Sequence, residues 1–200
     1  MAQTFSPPRI EPIQPPYEGE VGEQLAKWMP PGAPVEPMAL FRTLVVHPEL
    51  ASRMRPLGSA LLAHGLLEAR DREIVVLRTC ARAGAEYEWG VHAVAFASSA
   101  GLGEDQVAAT AAGDGEDRAW SERDRLLIRL VDELHDTNTV SAELWDQLAD
   151  EFSAQQLLEL IVTAGWYRTL SYVINAIAIE QEPWAARFPE QSPRQVEDAS

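Results

Sequence analysis

Residues 73–102 read EIVVLRTCARAGAEYEWGVHAVAFASSAGL, and this stretch decides the fold. Taken with its lead-in from Ala69, its first part spreads Ile74, Val75, Val76, Leu77, Cys80, Ala81 and Ala83 around most of a helical circumference. A helix that is apolar nearly all round is a buried one. REIVVLRT alone has the β-branched content of a strand, but the length and flanks favour helix. Gly84 suits a C-cap, and a second helix starts near Ala85 or Glu86. On it Glu88 and His92 lie four apart and share a face. The run AVAFASSA that follows is mostly small, which lets a neighbouring helix come close. Glu73 and Arg78 cross otherwise apolar ground, and isolated buried charges need partners. The pattern predicts a pocket floored by Glu88 and His92, with Glu73 reaching across. A histidine beside carboxylates can move protons near neutral pH.

Outward from this core the chain reads as helical almost throughout. SRMRPLGSALLAH places Met54, Leu57, Leu61 and Leu62 at helical spacing, with Pro56 acceptable only near a first turn. WSERDRLLIRLVDELHD opens on a capping box, Ser121 with Asp124 three residues on. Leu126, Leu127, Leu130, Val131 and Leu134 form its apolar face. SAELWDQLADEF and SAQQLLELIVTAGWYRTLSYVINAIAIE complete the set, and no alternating strand pattern is bounded by hairpin turns. ARDREIVVLRTCARAG is weakly echoed by SAQQLLELIVTAG, as expected of a duplicated helix pair. Residues 1–35 read as a proline-rich arm and a short helix, with Val21, Leu25 and Trp28 on one side and PPGAP as its breaker. Residues 36–182 read as the helical domain and 183–200 as an irregular tail.

Composition limits the function classes. Sixteen basic against 31 acidic residues give a net charge of −15, which repels nucleic acid. No apolar run reaches membrane-spanning length, and the first residues lack the apolar core of a secretory signal. A single cysteine, Cys80, permits neither an internal disulfide nor a Cys-x-x-Cys pair. A cytoplasmic location is expected. Cys80 reads as a small buried hydrophobe, and His47, His64 and His135 as structural.

The stretch 73–102 resembles the core motif of the carboxymuconolactone decarboxylase-like proteins, relatives of alkylhydroperoxidase D. The resemblance runs over about Leu40–Glu180, from LFRTLVVHPEL to LIVTAGWYRTLSYVINA. It rests on the nineteen residues between Glu73 and His92 and on the Glu-Trp just before the histidine. It implies an all-α bundle that assembles as a homotrimer or homohexamer. The peroxidase branch carries Cys-x-x-Cys-x-x-x-His, and the two cysteine positions are Ala85 and Glu88 here. The Glu-Trp-x-x-His form is similar to the decarboxylase branch, which implies His92 as the proton-transfer residue, Glu88 as its assistant and Glu73 in the same network. The branch acts on a carboxylated lactone in aromatic-acid breakdown, with neither metal nor organic cofactor.

Three functional readings follow. The first is a lyase whose carboxylate substrate is clamped by a guanidinium; Arg42, Arg78 and Arg168 are the candidates by their apolar surroundings. Tyr87 and Tyr167 are candidates to line the site, as is Trp89, which also reads as core or interface packing. The second is a small-molecule-binding or assembly protein that kept the fold without the chemistry. The third is a metal site at His92, Glu88 and Glu73. Without a resolving cysteine, and with Cys80 inside an apolar helix, no thiol peroxidase turnover is expected. A hydroperoxide assay of wild type beside Cys80→Ser checks this; peroxidase activity abolished by that substitution would overturn it.

Overall fold

In the computed structural model, residues 7–29, 36–113 and 120–189 are described; residues 1–6 of the arm, the PPGAP breaker and residues 190–200 of the tail lie outside them. Among the described residues there are nine helices and no strand. They are α1 (Gly19–Trp28), α2 (Ala39–Leu44), α3 (Pro48–Ala63), α4 (Ala69–Arg82), α5 (Glu86–Ala95), α6 (Glu104–Ala112), α7 (Glu122–Thr137), α8 (Ala142–Glu151) and α9 (Ala154–Ile177). None is long and apolar enough to cross a membrane.

Helix α4 is the axis of the bundle, packed against α5, α6, α7 and α9. Ile74, Val75, Val76, Leu77 and Cys80 have no exposed surface. Its charges are resolved by pairing. Arg70 grips Asp124 (2.9 Å), Asp71 is held by Arg123 (2.8 Å) and Arg78 takes Asp132 in a two-pronged contact of 2.8 Å on each arm. Arg82 continues the series with Asp136. Each partner lies 52 or 54 residues further along. The pairs ascend both helices together, so α4 and α7 run parallel and this ladder sets their register.

The α4–α5 break follows from Gly84, whose φ of +63° is left-handed. The Ala85 N–H donates back to the Cys80 carbonyl and closes the turn. The echo between the two halves ends here. Helix α9 runs unbroken through Gly165, so the second half contributes one 24-residue helix where the first has two. Helix α5 is shorter than the small-residue run invites: Phe96 caps it, and turns lead to Gly101. Helix α3 starts earlier than expected, with Pro48 in its first turn and the His47 ring accepting from Leu50 N–H. Pro56 therefore sits inside it, on an exposed face where water can serve the backbone group it frees.

The segment after α9 is irregular but anchored. Glu182 accepts from the Ala39 N–H (2.6 Å) and the Tyr87 hydroxyl (2.7 Å), tying α2 to α5. Ala186 then crosses α5 so closely that a Cβ on Gly90 would lie 2.0 Å from its carbonyl oxygen. At the other end, α1 packs on α2 and α3, with Trp28 stacked on Phe41 at 4.9 Å between centroids.

The Asp124 carboxylate closes the α7 capping box and also holds Arg70. Burial works to raise its pKa, but the hydrogen bonds from Arg70 and Ser121 outweigh this and hold it below the ordinary carboxylate value. A carboxyl depressed in the folded state gives stability that is present above its unfolded pKa and lost as pH falls through the folded one. Asp124→Asn should therefore lower unfolding free energy at pH 7 by about 1–3 kcal/mol and make acid unfolding less steep. Urea melts of both proteins between neutral and acid pH check both effects.

Candidate functional site

Glu73 points from α4 toward α5, and His92 points back from one turn beyond Glu88. Glu73 Oε2 lies 2.7 Å from His92 Nδ1, with both side chains almost wholly inaccessible. The other Glu73 oxygen accepts from Arg72 Nε at 3.0 Å. Glu73 is thus engaged on both oxygens and fixes the ring tautomer with the proton on Nδ1. That leaves Nε2 toward Glu88, whose Oε1 is 3.7 Å away. The distance is too long for a hydrogen bond. Glu88 Oε2 is buried and has no hydrogen-bond partner among the described residues.

The environment divides the two carboxyls. For Glu73, burial works upward, but His92 and Arg72 outweigh it and keep the group ionised to lower pH than usual. For Glu88, burial dominates and raises the pKa, with the Glu73 charge adding to the shift. For His92, burial works downward, yet Glu73, joined by Glu88, lifts the imidazole above its ordinary value. The carboxyl behind the ring is thus pushed toward its ionised form and the one in front of it toward its protonated form.

Glu88 and His92 open into a cavity of about 220 Å³ bounded by α1, α2, α3, α5 and α9. Its walls are mostly apolar, including Leu40, Phe41, Leu44, Val91 and Leu170. Phe96 lies against the His92 ring at 4.8 Å, and Tyr167 meets it edge-on at 5.0 Å. The Tyr167 hydroxyl makes no hydrogen bond within the described residues. Trp28, whose buried Nε1–H is also unpartnered among them, closes one side.

Of the residues singled out by sequence, the structure gathers Glu73, Glu88, His92 and Tyr167. It places the others elsewhere. Arg78 is consumed by Asp132 and by the Thr110 and Gly113 carbonyls. Arg42 ties α2 to the arm through the Pro37 and Ile13 carbonyls. Arg168 is on the far side of α9, bonded to His135 and Tyr172. Tyr87 is occupied by Glu182 and the Leu40 N–H. Trp89 donates to Thr110 and packs on Phe188. The small-residue run does not line this cavity either; apart from Phe96, its Ala93, Ala97 and Ser98 face α6 and the C-terminal segment.

The cations that do border the cavity are Arg55 and Lys27. Arg55 makes no ion pair or hydrogen bond with any described residue. Sequence reading passed over both because it favoured arginines in apolar surroundings, of which Arg78 is buried and already paired. Arg72 was also missed, since adjacent residues on a helix ordinarily face apart.

A metal centre does not suit this geometry. Glu73 and Glu88 sit at opposite ring nitrogens of His92, so the three cannot converge on one ion. No His/Cys/Asp/Glu group among the described residues is arranged to hold a metal.

Comparison with known proteins gives a consistent frame. Residues 48–130 match the Carboxymuconolactone decarboxylase family. A peroxidase-related protein of Silicibacter sp. TM1040 superposes with a TM-score of 0.77 at 12% identity, over 94% of this chain and 100% of that one. A protein of unknown function from Agrobacterium tumefaciens, described as an AhpD-type antioxidant defence protein, gives 0.63 at 18% identity, over 70% and 94%. The debrominase Bmp8, in complex with 2,3,4-tribromopyrrole, gives 0.69 at 16% identity, over 88% and 92%. At these identities the three structures speak for the fold alone. No curated protein matches the chain.

If Glu73 supplies the charge that lifts the His92 pKa, removing that charge leaves burial and Arg72, which lower it, opposed by Glu88 alone. Glu73→Gln should therefore move the His92 pKa downward. Titration of the histidine ring signals by NMR in wild type and variant measures the shift, and a His92 pKa that stays put would show that another group sets it.

Proposed function

We propose that this chain, whose residues 48–130 match the Carboxymuconolactone decarboxylase family and whose fold is alkylhydroperoxidase D-like, is a cofactor-free carboxy-lyase acting on a small carboxylated, lactone-type ring in aromatic-compound breakdown. The observation that carries this reading is the His92 ring held by Glu73 behind it and faced by the buried Glu88 carboxyl, at the inner end of a mostly apolar cavity.

In this reading the substrate enters as an anion. Arg55 and Lys27, at the cavity border, attract it in a chain whose mean field is negative. The apolar walls take the ring. The C–C bond to the departing carboxylate breaks, its electron pair passes into the conjugated carbonyl system, and CO2 leaves. The Glu88 carboxyl, or Nε2 of His92 when the ring is doubly protonated, then delivers a proton to the carbon. The low-dielectric surroundings favour loss of CO2, because a carboxylate dispersed into a delocalised enolate tolerates desolvation better. Glu73 and Arg72 do not touch the substrate; they hold the ring in one tautomer and orientation.

The protein is further read as a cytoplasmic homo-oligomer, a trimer or hexamer. Leu66 and Leu158, which expose 57% and 64% of their surface, support an assembled state. The competing reading, a binding or assembly protein on the same fold, predicts ligand uptake without turnover.

With carboxylated lactones and aromatic-acid breakdown products as substrates and CO2 release as the signal, His92→Ala should lower kcat by about 10²–10⁴-fold while circular dichroism stays unchanged. Arg55→Gln should raise KM by about tenfold or more, the loss of one charge-assisted contact, with little change in kcat. Saturable binding without CO2 release across the panel would favour the binding protein, and full activity in His92→Ala would remove the ring from the chemistry.

A further inference from the structure

Helix α9 has two working faces. Tyr167 looks into the His92 cavity, while its neighbour Arg168 borders a separate groove of about 240 Å³ between α7 and α9. The groove has an unusual polar inventory. Arg168 Nη1 lies 2.6 Å from His135 Nδ1, and its Nε donates to the Tyr172 hydroxyl at 3.1 Å. The guanidinium also lies over the Tyr172 ring, 5.1 Å from the centroid. Both hydrogen-bond partners are neutral groups, and no carboxylate among the described residues pairs with Arg168. His135 accepts from an arginine and so carries no proton on Nδ1. Burial, Arg168 and Arg82 all lower its pKa, against the opposing pull of Asp136 and Asp132. Those two acids are already engaged by Arg82 and Arg78.

The second observation is independent of the arginine. Thr79, from the far side of α4, borders the same groove and is only 5% exposed. Its hydroxyl is buried and has no hydrogen-bond partner among the described residues. A buried unsatisfied hydroxyl is destabilising, and the usual remedy for a threonine, a bond to the carbonyl one turn back, is not made. Asn138 adds a side-chain amide at the rim. No Asp or Glu lines the groove, although acidic residues outnumber basic ones 31 to 16. The remaining walls, Val131, Leu134, Ile161 and Ala164, are apolar. A guanidinium and neutral polar groups without a carboxylate, gathered beside an apolar floor, match an anion with a hydrocarbon body.

We propose that this groove is a second ligand site, separate from the His92 cavity, for a small organic acid whose carboxylate is taken by Arg168 and Thr79 and whose apolar body rests on Val131, Leu134 and Ile161. Asn138 assists at the rim, and Tyr172 backs the guanidinium. The volume limits the ligand to a single ring or a short chain. Because α4 and α9 separate the two cavities, an acid bound here contacts the reverse side of the two helices that carry Glu73 and Tyr167.

The test uses the full-length protein and its four histidines as reporters. The His135 ring signals are assigned by NMR with His135→Gln, and wild type is titrated with benzoate and, as the neutral control, benzamide. Benzoate should shift the His135 signals saturably and benzamide should not. Arg168→Gln should weaken this binding by about tenfold or more, the worth of one charge-assisted contact. Thr79→Val, which keeps the side-chain shape, should weaken it by about threefold, near the worth of one neutral hydrogen bond. His92→Gln should leave the His135 response intact, so a failure of the catalytic reading is seen separately from a failure here. Four results would overturn the proposal. They are no His135 shift at millimolar benzoate, an equal response to benzamide, wild-type affinity in either groove variant, and a change of oligomeric state in Arg168→Gln by light scattering. The last would make the groove an interface between copies of the chain.

Discussion

The middle of helix α4, from Glu73 to Cys80, is buried all round, and the helix still carries Arg70, Asp71, Arg72, Glu73, Arg78 and Arg82. A buried charge without a partner is far more costly than a buried apolar side chain. That constraint organises the rest of the molecule. On the side facing α7, the charges are neutralised by a parallel ladder of carboxylates and guanidinia. On the side facing α5, Glu73 is left with Arg72 and His92. The first solution fixes the bundle, and the second fixes a histidine ring at the inner end of a cavity. The same physical demand has produced a structural element on one face and a chemical one on the other.

The two carboxyls around His92 differ because their partners differ. Glu73 is ringed by positive charge and stays ionised; Glu88 has burial and little else. Burial raises the Glu88 carboxyl and Glu73 raises the His92 ring, so both shifts favour holding a proton at the inner end of the cavity. Groups placed in this way can exchange a proton with a bound molecule. The 3.7 Å gap between Nε2 and Oε1 is too long for them to satisfy one another, so each is left with capacity for a ligand atom.

Much of this was legible in the sequence. The all-round apolarity of residues 74–83 announces a buried helix, Gly84 announces the break, and the four-residue spacing of Glu88 and His92 places them on one face. The Ser121 capping box is equally plain. What could not be read was which charge meets which. Arg78 looks like a substrate clamp in one dimension, because its partner Asp132 lies 54 residues away and only the parallel packing of α4 on α7 brings them together. Trp28 and Lys27 look like parts of a peripheral helix, because nothing local says that α1 folds over the His92 cavity. Pro56 looked like a helix start because periodicity says nothing of whether a missing backbone bond faces water.

The misreading of the arginines carries a physical lesson about where ligands bind in such a chain. An arginine that the fold buries must be neutralised before the fold can be stable, so it reaches the native state already spent. Arg78 is of this kind. A guanidinium available to a ligand must instead be solvated in the absence of that ligand, or rest on neutral partners that ask for no charge in return. Arg55 at the cavity border satisfies the first condition, and Arg168, held by an imidazole and a phenol, satisfies the second. The acidic surface keeps other anions at a distance, and within that field the unpaired cations are the places where an anion gains most by arriving.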